Sequence, residues 1–193
     1  MEKLKVYLFR HGQTFYNKKG IFTGFKDSKL TPQGKKQAKI IANKLKNKKF
    51  QVAIQTRLSR SKDTLKPVLK FHPECKKILT DNRMIERNYG IYSGMSHDVF
   101  IKKYGEKRYK EVHRGWNVKI PKGENFNQVR KRVKPFVKWL KNYMKKNKVS
   151  VAISAHGNSI RLFRHIVEKM SIPETQKKFI PYDKVFTYDV DEL

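Results

Sequence analysis

Cysteine is nearly absent from the sequence, since Cys75 is the only one among 193 residues. An intrachain disulfide and a zinc site built from several cysteines are therefore excluded, and a reducing compartment is the simple inference. Long apolar runs are also missing. The first run, residues 6–9, follows Lys3 and Lys5 and is too short for a secretory signal or a membrane span. We expect a cytoplasmic, soluble protein that does not bind a membrane.

Acidic residues are few: 16 Asp and Glu stand against 46 Lys and Arg, which gives a formal net charge of +30. Such a charge attracts anions of many kinds, from phosphorylated metabolites to nucleic acid. The lysines are distributed along the chain, for example at 44–49 and 145–148, and we interpret most of them as solvated surface. The expected partner is a small anionic phosphorylated metabolite. A nucleic acid bound through the basic surface is the alternative from a different class.

The sequence contains no internal repeat and no low-complexity tract, and its length fits one domain over residues 1–193. Short apolar runs alternate with longer amphipathic ones. This pattern is typical of an α/β fold, which we predict to be a three-layer αβα sandwich with a central, mostly parallel sheet. The predicted strands are 4–9, 51–55, 149–154 and 185–190, with a weaker one at 77–80.

Three helices are predicted from apolar spacing and capping residues. The first begins after Thr31, an N-cap followed by proline at the first helical position. The second begins near Leu58 and is expected to stop before Pro67 or to kink there. The longest covers about 125–146, with a kink or a break expected near Pro135.

Residues 81–125 show no clean periodicity and contain aromatic side chains of the kind that line pockets. Long irregular segments in compact domains are often lids or binding loops. We therefore predict that this segment is an insertion that covers the functional site. Its aromatic residues include Tyr89, Tyr92, Tyr104, Tyr109 and Trp116.

Two predicted strands are each followed by a histidine. Arg10, His11 and Gly12 follow the first strand, and His156 and Gly157 follow a later one. In an open α/β sheet, ligands bind at the carboxyl ends of the strands. A neutral imidazole there can attack phosphorus while an adjacent arginine holds the phosphoryl oxygens. The pattern predicts an enzyme that carries phosphate on a histidine.

Two further segments can converge on this edge of the sheet. Arg60 stands near the start of the helix after the second strand, where the helix N-terminus also attracts negative charge. Glu86 is the one carboxylate that we can place near the chemistry, where it would give a proton to a leaving alkoxide. Alone, Arg60 fits an ordinary helix-face residue and Glu86 a surface salt bridge. The ordered set of Arg10, His11, Arg60, Glu86 and His156 favours catalysis.

The arrangement resembles the histidine phosphatase superfamily, and within it the cofactor-dependent phosphoglycerate mutases. The Arg-His-Gly motif at 10–12 marks only the superfamily. The segments at 23–27, 86–90 and 156–159 are much more specific to mutases, and the resemblance covers nearly the whole chain. The other segments that carry it are 30–34, 58–61, 104–106, 122–125, 132–136 and 160–161.

The resemblance implies a mechanism and a set of site residues. His11 would be the phosphorylated nucleophile and Glu86 the general acid and base, while Arg10, Arg60 and His156 would stabilise the transferring phosphoryl group. 2,3-Bisphosphoglycerate would prime the enzyme, which would interconvert 3-phosphoglycerate and 2-phosphoglycerate in glycolysis and gluconeogenesis. No metal is expected, since the six histidines show no metal-ligand spacing. The implied substrate-binding residues are Asn17, Thr23, Gly24, Arg87, Tyr89, His97, His113, Arg114, Gly157 and Asn158.

Two positions depart from the mutase pattern. His97 stands where the mutases carry lysine, and His113 precedes Arg114 where they usually have paired arginines. Both changes remove permanent positive charge from the carboxylate and second-phosphate end of the pocket. The sequence also ends soon after the last strand, whereas many mutases have a mobile tail, so we expect phosphohistidine to be more open to water. The alternative is a phosphatase of the same superfamily that hydrolyses a small or sugar phosphate. The oligomeric state is left open, a homo-oligomer included.

Overall fold

A central five-stranded sheet organises the described part of the chain, residues 3–193 of the computed structural model. Its order is β3-β2-β4-β1-β5; the first four strands are parallel, and β5 runs antiparallel to β1. All five predicted strands are confirmed, as is the mostly parallel sheet. Residues 1 and 2 of the predicted domain lie outside the described part. The strands are β1 (Lys5–Arg10), β2 (Val52–Gln55), β3 (Lys77–Thr80), β4 (Val151–Ala155) and β5 (Val185–Asp189).

Helices cover both faces of the sheet. Successive side chains of β1 point to opposite faces of the sheet, and both faces are apolar. Val6 and Leu8 pack in one apolar cluster with α5 and α6. Tyr7 and Phe9 pack in a second cluster with α2 and α3. The three-layer sandwich is therefore confirmed. The helices are α1 (Phe15–Lys18), α2 (Pro32–Leu45), α3 (Ser59–Leu69), α4 (His97–Arg114), α5 (Phe126–Asn147), α6 (Gly157–Val167) and α7 (Ile172–Lys177).

Two prolines lie inside helices. Helix α3 continues past Pro67, and α5 continues past Pro135, so neither helix stops or breaks at its proline. The alternative, a kink at each proline, stays a prediction. In α5 the neighbouring Val133, Phe136 and Val137 are buried in the main core, and this packing outweighs the lost backbone hydrogen bond. The prediction of a long helix over about 125–146 is confirmed.

The expectation that residues 81–125 are irregular is wrong, because they contain the 18-residue helix α4. Gly105, with φ 84°, bends this helix between its two halves. Its buried side is short of aliphatic residues: Phe100 and Val112 are fully buried, and histidine and tyrosine rings supply much of the rest. The helical period was therefore hard to recognise. The role of the segment as an insertion stays a prediction.

None of the helices within residues 3–193 is both long enough and apolar enough to cross a membrane.

The loop after β1 packs backbone to backbone against the start of α2. A Cβ atom on Gly34 would lie 2.0 Å from the carbonyl oxygen of Gln13, and one on Gly12 would lie 2.2 Å from that of Gly34. The Thr31 backbone N–H donates to the Gln13 carbonyl at 2.9 Å, and the Thr31 hydroxyl accepts from the Gly34 N–H at 3.0 Å. These contacts fix the backbone that directly follows His11 relative to the start of α2.

Replacing Gly34 by alanine is expected to lower the free energy of unfolding by about 2 kcal/mol, because no side-chain rotation relieves a clash with backbone. Helix propensity alone would favour alanine by about 1 kcal/mol, so the sign of the change tests the contact. Urea unfolding gives the measurement, and Gln33→Ala at the exposed neighbouring position is the control. A Gly34→Ala protein as stable as the wild type would contradict the tight packing.

Candidate active site

A cavity of about 200 Å³ lies at the carboxyl edge of the sheet, next to the ends of β1 and β4. It collects predicted residues from the whole length of the chain. His11, Arg60 and His156 are themselves almost fully buried beside it. The predicted residues that line the cavity are Arg10, Asn17, Thr23, Gly24, Glu86, Tyr89, His97, His113, Arg114, Gly157 and Asn158.

The His11 ring is held in one tautomer. Its Nδ1 lies 2.7 Å from the carbonyl oxygen of Gly12. A carbonyl only accepts hydrogen bonds, so Nδ1 carries the proton and Nε2 keeps the lone pair. Burial, and then the positive charges of Arg60 and Arg10, lower the pKa of His11 well below its ordinary value. The imidazole is therefore neutral at physiological pH, as a nucleophile must be.

His156 is the second buried imidazole, with its ring centroid 5.0 Å from that of His11. Its Nε2 is 2.8 Å from the Thr56 hydroxyl, whereas its Nδ1 is buried without a hydrogen-bond partner among the described residues. Burial first, and then Arg60 and His11, lower the pKa of His156 well below its ordinary value. A buried polar atom without a partner is costly, and contact with a polar ligand atom would offset that cost.

Two arginines hold positive charge close to these rings. Arg10 donates from Nη1 to the Ile180 carbonyl at 2.9 Å, and its buried Nε has no partner among the described residues. Arg60 donates to the carbonyls of Lys26 and Gly24, at 2.8 and 2.9 Å. Burial lowers the pKa of Arg60 to about 10, which leaves it charged at neutral pH. Free donors and fixed charge next to a neutral imidazole suit a bound phosphoryl group.

Glu86 is oriented by backbone amides. Its Oε1 accepts from the N–H groups of Arg87 at 2.8 Å and of Asn158 at 3.2 Å, the latter in the first turn of α6. The side chain lines the cavity. A carboxyl group held in this way can pass a proton to or from a ligand oxygen.

His11, Glu86 and His156 could also hold a metal ion, since their ligand atoms lie within 4.8 Å of one another. The absence of metal-ligand spacing therefore does not exclude a metal, because three separate segments supply this cluster. Arg10 and Arg60 stand beside the same rings, however, and their charges favour an anion over a cation.

Arg87 is placed differently from the other predicted residues. Its Nε donates to the carbonyl of Glu124 at 2.7 Å, and its two terminal nitrogens donate to the carbonyls of His113 and Val112. The side chain is fully buried and is not part of the cavity lining. Arg87 thus ties the end of α4 to the loop before α5.

The two histidines that depart from the mutase pattern, His97 and His113, lie next to each other in the cavity lining. Their ring centroids are 5.5 Å apart, and the His97 ring lies 4.5 Å from that of Phe22. Burial, and then Arg114, lower the pKa of His113 to about 3. Burial also lowers the pKa of His97. Both rings are neutral at pH 7, so this wall of the cavity is aromatic and uncharged.

The structure adds lining residues that the sequence reasoning did not select, among them Arg161, Phe179 and Tyr182. Arg161 donates to the side-chain oxygen of Asn158 at 2.5 Å, and burial lowers its pKa to about 9. It belonged to a segment already identified and could have been selected as a further cation near His156. Phe179 and Tyr182 lie between α7 and β5. The sequence of this segment contains no motif that would have predicted them as site residues.

Comparison with known families agrees with this geometry. The sequence profile of the histidine phosphatase superfamily (branch 1) matches residues 6–191. The chain belongs to this superfamily. As a histidine phosphatase superfamily member it is an enzyme, and the predicted resemblance is confirmed.

Relatives of this superfamily member include enzymes named as mutases. A 2,3-bisphosphoglycerate-dependent phosphoglycerate mutase of Mesorhizobium japonicum is 36% identical over 158 residues, which cover 80% of this chain and 76% of the relative. The enzyme of the same name from Bartonella henselae is 31% identical over 197 residues, which cover 99% of this chain and 95% of the relative.

A solved structure of a mycobacterial glucosyl-3-phosphoglycerate phosphatase is similar to this chain, with a TM-score of 0.82. The match covers 95% of this chain and 90% of that chain at 21% identity. At this identity the likeness establishes the fold alone.

The lowered pKa values of His11 and His156 predict that both rings are neutral at pH 6. An imidazole whose pKa lies below its ordinary value of 6.5 stays neutral as the pH falls through 6.5, whereas the unfolded chain binds protons there. The free energy of unfolding is therefore expected to fall as the pH drops below 6.5. ¹⁵N-histidine NMR and urea unfolding between pH 7.5 and 5.5 measure both effects, with resonances assigned by His11→Ala and His156→Ala. A His11 ring half-protonated at pH 6.5 would rule out this description.

Proposed function

We propose that this enzyme interconverts 3-phosphoglycerate and 2-phosphoglycerate through a phosphohistidine at His11, with 2,3-bisphosphoglycerate as primer. The observation that carries the proposal is the charge of the cavity. Arg10, Arg114 and Arg161 line it, and Glu86 is the only acidic lining residue within residues 3–193. A small cavity with this excess of guanidinium groups suits a substrate with both a phosphate and a carboxylate.

In the first step the Nε2 lone pair of His11 attacks phosphorus. The new N–P bond forms as the P–O bond to the leaving oxygen breaks, and Glu86 gives that oxygen a proton. Arg10, Arg60 and the His156 ring stabilise the charge on the phosphoryl oxygens, because hydrogen bonds already hold them in place beside His11.

The transfer step reverses these bonds. Glu86, now a carboxylate, takes the proton from the acceptor hydroxyl, whose oxygen attacks phosphorus as the N–P bond breaks. The Gly12 carbonyl keeps the proton on Nδ1 throughout, so His11 returns to the tautomer in which it started. Transfer to the other hydroxyl of the glycerate requires the intermediate to turn within the cavity without leaving it.

The residues present fit the primer. The buried Nε of Arg10 is a donor without a partner among the described residues, and Arg114 lies among the lining residues beside His113. When bound, 2,3-bisphosphoglycerate would supply the phosphoryl group for His11. Arg114 and Arg161 would bind its other anionic groups, with Asn158 and Tyr89 between them; the Asn158 amide already donates to the Tyr89 hydroxyl at 3.3 Å.

A phosphatase is the second candidate, and the neutral pair His97 and His113 favours it. Without a cation at these positions the second anionic group of an intermediate is held less firmly, so the intermediate leaves and water takes its place. The phosphatase substrate would then be a small phosphate monoester, a sugar phosphate included, whose far end contacts the aromatic wall.

The product formed from 3-phosphoglycerate separates the two candidates. We expect 2-phosphoglycerate to appear, at a rate that rises when 2,3-bisphosphoglycerate is added, with little inorganic phosphate. An enolase-coupled assay and a phosphate assay on the same samples measure both products. His11→Ala is the control, which should lose turnover and acid-labile phosphate on the protein together. Inorganic phosphate without 2-phosphoglycerate would replace the mutase by the phosphatase.

Restoring charge at the far end of the cavity is expected to favour transfer over hydrolysis. His97→Lys together with His113→Arg should raise the ratio of transfer to hydrolysis by about tenfold, because a permanent cation retains the intermediate. The ratio of 2-phosphoglycerate to inorganic phosphate is the measurement. Val99→Lys adds charge at an exposed position of the same helix and is the matched control. An unchanged ratio in the double variant would show that the two histidines do not limit retention.

A further inference from the structure

Residues 178–184, the segment between α7 and β5, form one side of the cavity. Phe179 and Tyr182 line it. Two backbone carbonyls of the segment accept hydrogen bonds from cavity arginines: that of Ile180 from Arg10 at 2.9 Å, and that of Lys178 from Arg161 at 2.8 Å. The segment therefore holds both guanidinium groups from the same side.

The Arg10 guanidinium contacts two parts of the chain. The Tyr182 ring centroid is 3.9 Å from Cζ of Arg10. Gly157 also lies close, since a Cβ atom there would stand only 3.3 Å from the same carbon. The ring and the hydrogen bond to the Ile180 carbonyl together restrict the orientation of the guanidinium. Its Nε, buried and without a partner among the described residues, keeps a fixed direction.

This direction matters because a hydrogen bond weakens steeply when donor and acceptor are misaligned. Stacking on Tyr182 also stabilises a buried guanidinium by an attraction that reaches the equivalent of about tenfold in an equilibrium constant. The same ring lies 6.4 Å from the His11 ring, centroid to centroid. One side chain thus contacts Arg10 and lies beside the His11 ring.

We propose that Tyr182 is a positioning residue that orients Arg10 for the phosphoryl group and shields phosphohistidine at His11 from water. The inference rests on the phosphohistidine chemistry proposed for His11. In the hydrolysis that Tyr182 slows, a water oxygen bonds to phosphorus as the Nε2–P bond breaks, and Glu86 takes the proton of the water. Removal of the ring lets water approach His11 and lets Arg10 tilt.

The test measures the lifetime of phosphohistidine directly. Wild type, Tyr182→Phe, Tyr182→Leu and Tyr182→Ala are labelled with ³²P-p-nitrophenyl phosphate, the donor is removed, and acid-labile label is followed by rapid quench. Tyr182→Phe keeps the stacked ring, so its lifetime should stay within about twofold of the wild type. In Tyr182→Leu and Tyr182→Ala the lifetime should fall, and KM for the donor should rise, by about tenfold each.

Controls separate positioning from general damage. Phe71→Ala removes a partly exposed aromatic ring far from the cavity lining and should leave the lifetime unchanged. If Tyr182→Ala does not fold, Tyr182→Leu decides the question, since it fills most of the same space without an aromatic face. A wild-type lifetime in Tyr182→Leu, or a shortened one in Tyr182→Phe, overturns the proposal. Absence of label on the wild type refutes the phosphohistidine chemistry itself, which is a different failure.

Discussion

The exclusion of water from His11 and its neighbours is the constraint on which the rest of the structure depends. A buried imidazole beside two arginines must be neutral, and a neutral imidazole is a nucleophile. The same exclusion leaves the Nε of Arg10 and the Nδ1 of His156 without partners within residues 3–193. The protein thus tolerates buried nitrogens without partners and confined positive charge, an arrangement that favours an anionic ligand.

Much of the fold and of the catalytic centre could be predicted because both depend on short-range patterns. Apolar runs located the five strands, and a histidine after β1 and another after β4 must meet at one edge of a parallel sheet. Helix α4 was missed because its buried side is built largely from rings that also occur on surfaces. The structural role of Arg87 could not be foreseen, since its partners are backbone carbonyls that no side-chain pattern records.

Exposed and enclosed charges of this molecule act over different distances. Most lysines are exposed, where water and salt screen them, and they contribute to the general attraction of anions. The arginines of the cavity are enclosed, and their hydrogen bonds to carbonyls hold them in fixed directions. The long-range attraction of anions by the exposed lysines therefore does not select one ligand over another. The identity of the substrate depends on the enclosed groups and on the uncharged wall formed by His97 and His113.

The contact between Gly12 and Gly34 has a consequence for how this enzyme can vary. A side chain at Gly12 would push the main chain of Gly34 away, and one at Gly34 would push that of Gln13 away, so the neighbouring His11 would move. The position of His11 thus depends on the spacing of these two main-chain segments. Variation in the lining can change what the cavity accepts, while His11 stays where the two segments hold it. The ligand specificity of the cavity can therefore change without a change in the position of His11.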